Sequence, residues 1–375
     1  MWRRRTAALL LVLLAPALYS YTAMALQPSS LPLGIRSVEW LREHQGAWLV
    51  NDLERIYYTW NAPAKGGPAL RALPSLGAAT VAAPAARAAA APRVYRPQRL
   101  APILRPALPG EGVWQATGRL VSGVAPVLVT TFRSEPTYPR IVAYVAWFDH
   151  TRTRLALYPG RYQPPNASPR GPMEVPSGER WRLLASFNSG FTYNDARGGF
   201  SVNGQTVTPL RNGQGTVVAY RDGRVDVIDW TGAARPGRDV VLARQNLPLI
   251  VDRGRANPLL ADSSLWGNTL GNAIRVWRSG VGIDRRGNLI YAAASDQTAR
   301  TLAAILIHAG AVRAIQLDIN AEWPSLITYG KQGVNVPDKI VPNTQQSSFR
   351  YLAPDDRDFF AVYRAVGGPA GVPFR

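Results

Sequence analysis

The 375-residue chain has no cysteine, three histidines and three lysines (Lys65, Lys331 and Lys339). Without thiols it forms neither disulfides nor thiolate metal sites. So few imidazoles argue further against zinc or another transition metal. No cofactor is expected, although a calcium site built from carboxylates and carbonyls stays open. Acid is scarce too: 24 Asp and Glu stand against 43 Lys and Arg, a net charge of +19. Almost all the basic charge is arginine, as a GC-rich coding sequence would produce. The excess is uneven, with 13 basic and 4 acidic side chains in residues 1–110 against 30 and 20 in residues 111–375. Such a surface favours anionic partners: phosphate polymers, acidic glycans, lipid headgroups or nucleic acid.

Arg3-Arg4-Arg5 precedes an apolar stretch from Ala7 to Tyr19, and Ala23-Met24-Ala25 offers small residues for cleavage. Residues 1–26 therefore read as a signal peptide or membrane anchor, which places the chain outside the cytoplasm, tethered by its N-terminus. Export argues against a nucleic-acid partner. Residues 27–61 form a stalk with helical spacing at Val38, Leu41, Trp48, Leu49, Leu53, Ile56, Tyr57 and Trp60, and Ser37 is the expected N-cap. Residues 62–110 are rich in Ala, Pro and Arg and read as a semi-extended linker. No internal repeat is visible. Asn166-Ala167-Ser168 matches an N-glycosylation pattern that carries little weight.

From residue 111 onward the sequence is strand-rich. Apolar runs at Pro126–Phe132, Arg140–Asp149, Arg154–Tyr158 and Trp181–Phe187 predict strands. Asp222-Gly223 and Gly287-Asn288 sit where tight hairpin turns need positive φ. A helix is expected over Thr298–His308, stopping at Gly310. The expected class is α+β: a β-rich mixed sheet with few helices in a domain spanning 111–375.

Two apolar runs end in dense polarity. One, Trp181–Phe187, delivers Asn188-Ser189-Gly190-Phe191, then Asn194-Asp195; the other, Ala311–Leu317, delivers Asp318, Asn320, Glu322 and Trp323. Unpaired polar groups are costly to bury, so strands that end this way point to a site, and the two ends are expected to meet in one pocket.

The order of these segments carries a resemblance. Asn188-Ser189-Gly190-Phe191 comes first, then Arg244-Gln245-Asn246, then Arg278-Ser279-Gly280-Val281-Gly282-Ile283-Asp284, then helix, Gly310 and Leu317-Asp318. From Gly112 to Tyr329 this resembles the phosphodiester glycosidase family, whose motifs Asn-Gly-Gly-Phe-Phe and Asn-Leu-Asp-Gly-Gly-Gly-Ser-Ser correspond to Asn188–Thr192 and Gln316–Ser325. The aspartate is kept, while Ile319, Asn320 and Ala321 stand where the family has glycines, which reshapes that wall.

The resemblance implies hydrolysis of a sugar-1-phosphate diester, here in a bacterial cell envelope, with a phosphorylated glycan or envelope polymer as partner. Carboxylates suit an oxocarbenium-like transition state, so Asp318, Glu322 and Asp195 are the candidate catalytic residues. Arg278 is the candidate phosphate clamp, supported by Arg275 or Arg244. Asn188, Gly190, Asn194, Asn246 and Asn320 would hold sugar or phosphate oxygens, and Phe191 and Trp323 would stack on a sugar face. The alternative is a non-catalytic envelope module that binds anionic glycan or teichoic-type polymer.

Overall fold

Along the strand Val127–Arg133 successive side chains point to opposite faces. Val127 and Val129 enter one core, and Leu128 and Phe132 enter another. The same alternation places Tyr144, Tyr291 and Ile315 in the first core and Val145, Ile290 and Ala314 in the second. These residues belong to an eight-stranded antiparallel sheet. Its order is Gln115–Thr117, Val127–Arg133, Val142–Phe148, Leu289–Gln297, Val276–Asp284, Ala311–Ile319, Val251–Asp252 and Arg255–Ala256. The computed structural model describes residues 2–76, 95–167, 170–262, 265–266, 275–330, 333–342 and 346–365, with backbone alone for residues 2–13. Part of the Ala/Pro/Arg-rich stretch (77–94) and Ser168 of the glycosylation pattern lie outside them.

Two five-stranded sheets cover the first core. One runs Gln205–Thr208, Phe200–Val202, Val240–Gln245, Gly215–Tyr220, Val225–Asp229; the other runs Pro337–Lys339, Leu326–Tyr329, Leu183–Asn188, Phe359–Arg364, Thr153–Tyr158. Every pairing between described strands is antiparallel. The β-rich α+β class with few helices is thus what the structure has. The hairpin turn at Asp284 works as its residues suggest. Asp284 Oδ1 accepts from the backbone N–H groups of Arg286 (2.8 Å) and Asn288 (2.9 Å), and Gly287 takes φ +85°.

The helices are α1 (Trp2–Leu26), α2 (Leu33–Leu41), α3 (Ala47–Trp60), the single turn α4 (Tyr193–Ala196) and α5 (Ala299–His308). Thr298 and Thr301 cap α5 reciprocally, and Leu302, Ala303, Ile305 and Leu306 bury its inner face in the second core. The expected stalk helix is broken. Between α2 and α3 the chain leaves helical geometry at His44 (φ −102°, ψ 45°) and Gln45 (φ 67°, ψ 4°), which folds α3 back. Ser37 is not an N-cap. Pro32 precedes α2, and the Ser37 hydroxyl lies inside the helix and donates to the Leu33 carbonyl at 2.8 Å. Among the described residues no helix is long and apolar enough to cross a membrane.

Candidate functional site

Three strand ends converge. Leu183–Asn188 ends beside the start of Phe359–Arg364, with Asn188 opposite Phe359. The end of Ala311–Ile319 is stitched alongside them, because the Asp318 N–H donates to the Ser189 carbonyl at 3.0 Å. The segments that end in Asn188 and in Asp318 therefore do meet.

Asn188 is the knot beneath. Its Nδ2 donates to Ser279 Oγ (2.9 Å) and the Ser189 carbonyl (3.0 Å), and its Oδ1 accepts from Tyr291 Oη (2.9 Å) and the Ser325 N–H (3.0 Å). That exhausts an amide's ordinary capacity, so Asn188 holds the site rather than the ligand. Ser279 Oγ in turn donates to the Asp318 carbonyl at 2.8 Å. Asn246 is likewise committed, accepting from the Phe191 N–H (3.2 Å) and donating to the Gln316 carbonyl (2.6 Å). Gly190 lets Asn246 approach: a Cβ there would stand 3.0 Å from Asn246 Cγ.

Above this base lies a cavity of about 300 Å³ whose lining includes Phe191, Asn194, Asp195, Asp318, Asn320 and Arg357. Asp318 is buried. Its Oδ1 accepts from the Ile319 N–H (3.0 Å), and its Oδ2 faces Arg357 Nη1 at 3.2 Å. Burial pushes its pKa up to about 7, against the pull of Arg357 and that N–H and with the push of Glu39 and Asp195. The other guanidinium nitrogen, Arg357 Nη2, donates to Glu39 Oε2 of α2 at 2.7 Å. Burial works against the Arg357 charge, but the Glu39 and Asp318 carboxylates outweigh it and hold its pKa above the ordinary range. Asp195 and Asn194 stand exposed at the rim on α4, where Asp195 Oδ2 accepts from Thr192 Oγ1 at 2.6 Å.

Sequence reasoning missed Arg357. The structure gives Arg278 no place in the cavity lining. Arg278 is fully buried, donates to the Gln297 carbonyl (2.7 Å), the Trp266 carbonyl (3.4 Å) and Gln316 Oε1 (3.3 Å), and burial pushes its pKa down to about 9. Arg275 grips Glu135 with two 2.8 Å contacts, and Arg244 binds Asp358 at 2.7 and 3.2 Å, bracing the Phe191 carbonyl at 2.8 Å. Glu322 opens on a neighbouring cavity between α2 and α3, with Arg42, Glu54 and Tyr58, and burial raises its pKa. Trp323 is 3% exposed. It lines the Asp318 cavity, with the Arg357 guanidinium 4.1 Å over its ring and Leu31 and Ile35 packed against it. Phe191 is packed among Ala196, Val276 and Ile319.

A usable signal for Arg357 existed. Asp355-Asp356-Arg357-Asp358 runs straight into the apolar Phe359–Arg364, the same meeting of polar density and buried strand seen at Asn188 and Asp318. Its neighbours are paired as well, Asp355 with Arg350 (2.7 Å) and Asp356 with Arg161 (2.9 Å). Among the described residues no cluster of His, Asp and Glu could hold a metal ion.

The N-terminal helices lie across this site. Glu39, Arg42, Glu43, Ala47 and Asn51 line the cavity from above, and an adjoining cavity of about 340 Å³ is shared between α1, α2 and the loop that carries Arg357.

No family matches the chain by sequence, and no curated protein does. Among solved structures it is similar to the catalytic domain of zebrafish N-acetylglucosamine-1-phosphodiester alpha-N-acetylglucosaminidase, described as auto-inhibited by its pro-peptide. There the identity is 15%, over 67% of this chain and 87% of that one, with a TM-score of 0.45. It is also similar to a hypothetical protein from Synechocystis (13% identity, 65% and 63% covered, TM-score 0.39). A third is a putative exported protein from Burkholderia pseudomallei (12% identity, 61% and 75% covered, TM-score 0.34). The likeness to a phosphodiester glycosidase catalytic domain is a distant one of structure.

Proposed function

We propose that the chain hydrolyses a glycosyl phosphodiester, with Asp318 as the proton donor and Arg357 as the phosphate-binding cation. The observation that carries this reading is the 3.2 Å contact between Asp318 Oδ2 and Arg357 Nη1 on the wall of a cavity large enough for a sugar ring. An acid with a pKa of about 7 is protonated in about half the molecules at neutral pH, which suits general acid catalysis. Water attacks the anomeric carbon, the bond from that carbon to the phosphate oxygen breaks, and Asp318 protonates the departing oxygen. Asp195, exposed at the rim, takes the proton of the attacking water. The products are a free sugar and a phosphate monoester. Glu39, seated on Arg357 Nη2, marks where an anionic oxygen of the diester would bind. Glu322 has no part in this scheme, because it opens on the other cavity.

The reaction is placed in the cell envelope, on a phosphorylated glycan, with the N-terminus as tether. The support is the run of arginines at positions 3–5 followed by the apolar stretch. A reporter fused after residue 110 should appear outside the cytoplasm, and a cytoplasmic reporter would remove the envelope from the reading.

The chemistry is tested with the methyl phosphodiesters of glucose 1-phosphate and N-acetylglucosamine 1-phosphate. The intact chain should release sugar, and Asp318→Asn should lose about 10²–10⁴ in kcat. Undiminished turnover in that variant would take Asp318 out of the reaction.

A further inference from the structure

Asn320 is held in an unusual way. Its backbone sits at φ +73°, in the left-handed region that side chains other than glycine's adopt sparingly, although asparagine tolerates it best. The main chain fixes that geometry without help from the side chain. The Asn320 N–H donates to the Trp277 carbonyl at 2.9 Å, and the Asn320 carbonyl accepts from the Trp323 N–H at 3.4 Å. The residue is 5% exposed, and its amide oxygen, Oδ1, has no hydrogen-bond partner in the protein. Buried amide oxygens are nearly always satisfied, and an exception calls for an explanation. Nearby, Asn188 is saturated by protein partners, and the amide oxygen of Asn246 accepts from the Phe191 N–H. Asn320 differs from them in lining the cavity, together with Asp318 and Arg357.

We infer that Asn320 is a specificity-determining residue, its Oδ1 accepting a hydrogen bond from a donor on the sugar ring of the ligand. This rests on reading the cavity as a glycosyl phosphodiester site. The donor is a hydroxyl or an amide N–H, because an amide oxygen only accepts. Arg357 fixes the phosphate end, Asp318 faces the scissile oxygen, and Asn320 reads the ring from the third side. A ligand without the donor leaves Oδ1 buried and unpaired, the situation that gives the strongest discrimination between close analogues.

The test is a panel of glucosyl methyl phosphates: the parent, its 2-, 3-, 4- and 6-deoxy analogues, and the 2-acetamido form. With the intact chain, one deoxy analogue should fall by about tenfold or more in kcat/KM, at the position Asn320 reads. A recovery of that loss by the 2-acetamido form would identify the donor as an N–H at C2. Asn320→Gly suits the φ +73° backbone, so the melting temperature should hold, which separates recognition from folding. In this variant the parent should drop to the level of the sensitive analogue, and the gap between the two should close. A gap that persists in Asn320→Gly, or an intact chain indifferent to every deoxy position, overturns the inference and leaves the hydrolase reading standing. An intact chain that cleaves no member of the panel overturns the hydrolase reading, and the role of Asn320 falls with it.

Discussion

Replacing Asp318 by asparagine should slow the chemistry and make the stability of the fold, relative to the natural chain, rise with pH. In the folded chain the Asp318 pKa stands at about 7, against an ordinary value of 3.8. The folded state therefore holds a proton that the unfolded chain releases across that window, and stability is lost as pH rises through it. The displacement already nets the attraction of Arg357 against burial and the carboxylates of Glu39 and Asp195. Its full extent, about three pH units, corresponds to about 4 kcal/mol at pH 8, an upper bound for so buried a group. Asparagine does not titrate, but it has one acceptor oxygen where Asp318 turns two toward donors, the Ile319 N–H and Arg357 Nη1, so the substitution also carries a cost that does not vary with pH. The variant should therefore gain on the natural chain as the pH climbs from 4 to 8, whatever the difference between them at pH 4. Titrating groups remote from Asp318 are common to both and cancel in the difference, while Glu39, Asp195 and Arg357 are coupled to it. Urea unfolding at a series of pH values, comparing midpoints and slopes, measures it. A stability difference flat in pH, or one that moves toward the natural residue between pH 4 and pH 8, would refute the placement of Asp318 as a buried acid with a raised pKa.

Two further outcomes follow from the same geometry. Gly190→Ala puts a methyl 3.0–3.3 Å from the Asn246 side chain, which its own hydrogen bonds hold in place, and should cost about 1–3 kcal/mol in thermal unfolding; a neutral result would mean that Asn246 is free to move. Glu39→Gln leaves an oxygen facing Arg357 Nη2 but removes the negative charge that competes with the phosphate, so KM for the methyl phosphodiester should fall by about tenfold; a higher KM would show that Glu39 assists the substrate.

The strand framework was legible because burial leaves a plain mark. Runs such as Pro126–Phe132 and Arg140–Asp149 are apolar almost throughout and are buried on both faces. The polar ends at Asn188 and Asp318 stood out for the same reason, since such groups need partners wherever water is excluded. What the sequence hid was which arginine mattered. In a chain so rich in arginine, Arg278 and Arg357 look alike, and they part only when Arg278 is found facing backbone carbonyls and Arg357 facing Asp318. The resemblance also ended at Tyr329, before the Asp355–Asp358 run. Glu322 lies just past the Asp318 strand but turns toward α2 and α3, an orientation set by helices far away in the sequence. The break at His44 and Gln45 was invisible because the apolar spacing continues across it.

The contact between α2 and Arg357 has a topological consequence. The chain returns to the body soon after α3: the Gly66 N–H donates to the Thr137 carbonyl at 2.9 Å, and Leu70, Leu73 and Leu76 pack on the first core. With so short a tie, Glu39 meets the Arg357 of its own chain at a high effective concentration, and the roof stays in place on dilution.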